Sequence, residues 1–81
     1  MASSSQMKLY NNLLRCVRAW KFNDIDVVIS STGEINIISI EFNQLAISRF
    51  VDLLFDSSRN YSVYVLEESG FNKVAISIPD K

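Results

Sequence analysis

The segment IDVVISSTGEINIISIEF, residues 25–42, decides how this chain folds. Its two halves are dense in β-branched residues and flank a Ser-Ser-Thr-Gly break, the pattern of a β-hairpin. A strand with one wet face alternates apolar and polar residues. The second half begins that way with Ile35 and Ile37, then breaks the alternation with Ile38, Ile40 and Phe42. Apolar side chains therefore fall on both sides of the strand in either register.

The turn selects between two registers. A two-residue Thr32-Gly33 turn groups Ile25, Val27 and Ile29 with Ile38, Ile40 and Phe42. The reverse face then carries Asp24, Asp26, Val28, Ile35, Ile37, Ser39 and Glu41. A three-residue loop with Gly33 in the left-handed region regroups them. Thr is β-branched and resists the positive φ of a type I′ turn, which keeps the longer loop in play. The two-residue turn separates core from surface more cleanly and is the expected one.

The rest of the chain repeats this theme. Leu9, Tyr10, Leu13, Leu14, Val17 and Trp20 follow helical spacing and predict a helix over about 7–21. One of Ser3 to Ser5, or less well Gln6, would cap it. Residues 1–6 read as a flexible leader, and 7–81 as a single small α+β domain. Asn43 is a good N-cap for a second helix over about 44–58, with Ala46, Ile47, Phe50, Val51, Leu53 and Leu54 as its apolar stripe. Leu45 and Phe55 fall at the edge of its wet side, where Asp56 and Arg59 stand three apart and could pair weakly. Strands over 61–67 and 73–78 follow, joined by ESGF. A Ser69-Gly70 turn sets Tyr61, Val63 and Val65 with Val74, Ile76 and Ile78. The order is α-β-β-α-β-β, predicting a four-stranded antiparallel sheet with two helices packed on one face. IISIEF and AISIPD close the two hairpins alike, a slight pseudo-repeat.

Composition bounds the function. The chain has 81 residues, 48% hydrophobic and 21% charged, the profile of one globular domain. A domain this small buries only about 60–65% of its unfolded surface. Eight basic and nine acidic residues leave a net charge of −1, which argues against strong unspecific binding to nucleic acid. Residues 1–22 hold four basic and no acidic residues, a composition shared with organelle transit peptides. The apolar stripe reads instead as a structural helix. The single Cys16 cannot form an internal disulfide, so a reducing, cytoplasmic setting is the simplest. No apolar run reaches the roughly 18 residues that would span a bilayer.

Chemistry is sparse. Histidine, the commonest general base and metal ligand, does not occur. Cys16 would act without an imidazole and reads as a small residue on the shoulder of a buried stripe. Asp24 and Asp26 with Glu41 could hold a divalent cation, but they read more simply as charges that discourage pairing at a sheet edge. Gly33 and Gly70 are the only glycines and both serve turns, leaving no phosphate-binding loop. No enzyme, metal or cofactor is expected.

What remains is surface. With the two-residue turn, Val28, Ile35, Ile37, Tyr64, Leu66 and Phe71 gather on the second face of the sheet. Half-burying six such side chains contributes about 4–9 kcal/mol per copy, against an association cost of about 4–15 kcal/mol. An apolar patch of this kind marks a partner surface. The expected function is a non-catalytic protein–protein interaction module: an adaptor, an immunity-type partner, or a small virus- or phage-encoded inhibitor, self-associating as a homodimer. The alternative is a nucleic-acid-binding module that uses Lys8, Asn12, Arg15 and Arg18 on the first helix.

Overall fold

The computed structural model describes residues 2–39, 44–68 and 70–80, the side chains of Glu68 and Phe71 excepted. It contains two helices and four strands in the order α1 (Ser4–Ala19), β1 (Ile25–Ile29), β2 (Ile35–Ser39), α2 (Gln44–Asp56), β3 (Ser62–Glu68) and β4 (Phe71–Ile78). The strands form one antiparallel sheet in the spatial order β1-β2-β4-β3. The fold class is α+β, as the order of elements implied.

Helix α1 begins three residues earlier than its apolar stripe predicts. Ser3 is the N-cap, and its hydroxyl accepts a hydrogen bond from the Gln6 backbone N–H at 3.1 Å. Residues 4–6, expected in a leader, are the first turn of the helix, and Gln6 is fully buried. The correction has a physical cause: the Gln6 amide finds partners inside the fold, given below. Both helices end in a left-handed residue that is not glycine, Lys21 (φ 59°) after α1 and Ser58 (φ 53°) after α2. At each end two backbone bonds close a Schellman motif. Phe22 N–H donates to Val17 C=O and Lys21 N–H to Arg18 C=O; Arg59 N–H donates to Leu54 C=O and Ser58 N–H to Phe55 C=O. The expected cap Asn43 lies outside the described residues.

The first hairpin takes the three-residue loop. Gly33 has φ +87°, Ser30 N–H donates to Glu34 C=O, and Gly33 N–H donates back to Ser30 C=O. Val27 pairs with Ile37 and Ile29 with Ile35. Relative to the two-residue turn, β2 slips by one position, and a one-residue slip moves every side chain to the opposite face. Only Gly33 has to adopt positive φ in this loop, so Thr32 is relieved of it. Ile35 and Ile37, expected on the exposed face, are instead core residues at 0% and 3% exposure. Ile40, Glu41 and Phe42 lie outside the described residues.

The second hairpin has the expected register, with Val63 opposite Ile76, Val65 opposite Val74 and Glu68 opposite Phe71. The two hairpin endings that look alike in sequence are not equivalent. Ser39 is buried in the row Ile25–Ser39–Val74, whereas Ser77 lies in the row Val28–Asn36–Ser77–Ser62 on the opposite face.

The core is one cluster. Leu9 and Leu13 of α1 join Ala46, Phe50 and Leu54 of α2 and the sheet residues Ile25, Val27, Ile35, Ile37, Ile76 and Ile78. At the end of α1, Trp20 tilts against Phe50 with ring centroids 5.2 Å apart and meets Phe22 edge-on at 6.1 Å. The Arg49 guanidinium stands 5.5 Å from the Trp20 ring centre, a cation–π contact that ties the second helix to the end of the first. Among the described residues every buried side-chain nitrogen and oxygen has a hydrogen-bond partner.

Candidate functional site

Two surfaces of the sheet stand out once the core face is assigned. The first is its opposite face. Row by row it presents Val28, Asn36, Ser77 and Ser62, then Asp26, Ile38, Ala75 and Tyr64, then Lys73 and Leu66. Val28 is 45% exposed, and Tyr64 and Leu66 are exposed as well. Ile38 and Lys73 are half-buried, and Ala75, set between Ile38 and Tyr64, is buried completely. A small residue between two large neighbours gives the face a shallow, apolar middle. Tyr64 crosses it: its hydroxyl donates to Asn36 Oδ1 at 3.2 Å, and the Asn36 amide nitrogen donates to Glu34 Oε1 at 3.2 Å. The phenol ring is thereby fixed in orientation.

Of the six residues expected to form a partner surface, the structure gathers Val28, Tyr64 and Leu66 here. Ile35 and Ile37 are removed to the core by the register of β2. The backbone of Phe71 pairs with Glu68, and its side chain lies outside the described residues. Ile38 is the residue that the expected grouping missed; the three-residue loop brings it to this face.

The second surface is the outer edge of β3. Every described side chain from Ser62 to Glu67 is exposed. Val63 and Val65 belong to the core side of the sheet but are 48% and 65% exposed.

Lys8, Asn12, Arg15 and Arg18 are all exposed along α1, and the first three border a shallow recess with Leu9 and Asn11. Beside them, Cys16 is partly buried against the core. Burial pushes its thiol pKa up, with Arg15 opposing in part. A shift in that direction is the opposite of what a nucleophile needs. Glu41 lies outside the described residues, and among those described no three His, Cys, Asp or Glu side chains stand close enough to hold a metal ion.

A polar knot that the sequence reading missed joins the chain ends. The Gln6 amide nitrogen donates to Ile78 C=O at 2.9 Å, and its oxygen accepts from the Arg59 guanidinium. Arg59 also donates to Ser5 Oγ at 2.9 Å, so its expected pairing with Asp56 gives way to contacts with α1. Ser3, Ser5, Ser57, Ser58, Arg59 and Asp80 line the recess beside it. The Asp80 carboxylate already occupies the start of α1 there through Ser3.

Among the described residues no helix is long and apolar enough to cross a membrane. Comparison with protein-family models, with curated proteins and with solved structures finds no match for the chain.

Proposed function

We propose that the chain is a non-catalytic protein–protein interaction module of a reducing, cytoplasmic compartment. It works through the open face of its sheet and associates with itself. The observation that carries this reading is that face: exposed Val28, Tyr64 and Leu66 around Ile38 and Ala75, with the Tyr64 ring pinned by Asn36. Apolar groups held in fixed positions lose little freedom on docking, which is what an anchor surface requires. A Cys16 thiol whose pKa burial raises and a chain without histidine favour binding over catalysis. Small size and a single rigid face suit an inhibitor or adaptor.

Affinity capture from the native host tests it with three variants. A protein retained by the wild type and by Phe55→Lys, but lost with Val28→Lys and Leu66→Lys, supports the open face; Phe55 is exposed on α2 and serves as control. Equal capture by all of them overturns it. Circular dichroism verifies that each variant is folded.

A second reading, nucleic-acid binding through α1, draws on the shared exposure of Lys8, Asn12, Arg15 and Arg18. It requires a low-salt mobility shift with RNA or DNA that Arg15→Glu combined with Arg18→Glu abolishes. An unshifted probe removes it.

A further inference from the structure

The two edges of the sheet are built differently. β1 is five residues long and carries Asp26, exposed at its second position, with Asp24 just before it. Short length and charge are ordinary guards against edge-to-edge pairing. β3 has neither. It runs for seven residues, SVYVLEE, and its ladder with β4 continues from Ser62–Ser77 to Glu68–Phe71 with no skipped position. It contains no Pro and no Lys, and its centre is apolar on both sides, Val63 and Val65 on one and Tyr64 and Leu66 on the other. Among the described residues no strand lies beyond it in the sheet. Backbone N–H and C=O groups along such an edge are best satisfied by another strand.

The charge pattern of β3 selects the partner. Its acids stand at one end, in Glu67-Glu68, and Arg59 stands just before the other end, its guanidinium donating to the neutral Ser5 and Gln6 side chains. Antiparallel pairing with an identical strand sets each acidic end beside the Arg59 end of the other copy. Parallel pairing would set acid beside acid.

We propose that β3 pairs antiparallel with β3 of a second copy, centred near Tyr64 and Val65, to make one eight-stranded sheet. This deepens the self-association named above and gives it a surface distinct from the open face. The interface is isologous and closes at two copies. The guarded β1 strands become the outer edges, and the two open faces join into one platform.

Sedimentation equilibrium over a wide concentration range tests the proposal. The mass is expected to rise from 9.2 kDa toward twice that value. Val65→Lys is expected to hold the protein at one copy, and Val28→Lys to leave association unchanged. Hydrogen exchange on the wild type is an independent reading, since the amides of 63–66 should gain protection as concentration rises. A single copy at every concentration, assemblies larger than two, or association that survives Val65→Lys with unprotected β3 amides overturns the edge pairing. Association abolished by Val28→Lys alone overturns it too, while leaving the open-face reading standing.

Discussion

Asp80 accepts two hydrogen bonds from Ser3, one from the backbone N–H at 2.9 Å and one from the hydroxyl at 2.8 Å, across 77 positions of sequence. The same serine caps α1, so the segment after β4 fixes where the first helix starts. Gly33 lies against this clasp, and a Cβ there would come 2.5 Å from Asp80 Oδ2. Asp80→Ala should cost about 1 kcal/mol, the typical net contribution of a hydrogen bond, since the site is exposed. Gly33→Ala should cost more, about 1–2 kcal/mol, from its φ of +87° alone. The double variant should cost less than the two together, because the closest clashing atom is gone. Chemical denaturation of the three variants measures this; strict additivity would separate Gly33 from the clasp.

Gln6 should behave as a core residue despite its polarity. Gln6→Ala leaves Ile78 C=O without its side-chain donor and takes a partner from Arg59. A loss of about 1–3 kcal/mol is expected in urea unfolding. A change below about 0.5 kcal/mol, typical of open surface, would be incompatible with its burial.

The helix ends offer stabilising changes. Lys21 and Ser58 hold φ of 59° and 53°, where a Cβ is a penalty that glycine avoids. Lys21→Gly and Ser58→Gly should each add about 0.5–1 kcal/mol. Higher melting temperatures are expected, and lower ones would count against the Schellman geometry.

The register of β2 makes opposite demands on Ile37 and Val28. Ile37→Ala should cost about 2–4 kcal/mol as a buried truncation. Val28→Lys should stay within about 0.5 kcal/mol. The two-residue turn would make both positions tolerant, so a stable Ile37→Ala would reinstate that register.

Cys16 should respond to pH in one direction. Its thiol pKa is raised by burial, so the contribution of the protonated form is complete below the ordinary thiol pKa of about 8.5 and is lost as pH climbs through the folded value. At mildly alkaline pH, iodoacetamide should alkylate the folded protein more slowly than the urea-unfolded chain. Faster reaction in the folded state would show a thiolate held by Arg15.

Most of the elements were legible because they rest on local patterns. Helical spacing from Leu9 to Trp20 and β-branched runs around two glycines mark six elements in their order. The second hairpin was also readable, since a Ser-Gly turn and alternating residues agree on one register. The first was harder because Ile35, Ile37, Ile38 and Ile40 are apolar in both parities. The decision passed to the handedness of one loop residue, and Thr32 carried the only hint. Val28, Tyr64 and Leu66 could be assigned to an exposed face from alternation, but Ile35 and Ile37 could not be excluded from it. Gln6 gave no signal in a serine-rich stretch, because its partners stand 53 and 72 positions away.

The strand order β1-β2-β4-β3 puts the final strand of the chain's described elements next to both β2 and β3. While this protein is being synthesised, the first hairpin and β3 leave the ribosome with no ladder between them. Val74, Ile76 and Ile78 arrive last and complete the interior. Assembly is then all-or-none and slow to begin, since these pairings span long stretches of chain. Until β4 arrives, the apolar β2 edge that it covers stays bare.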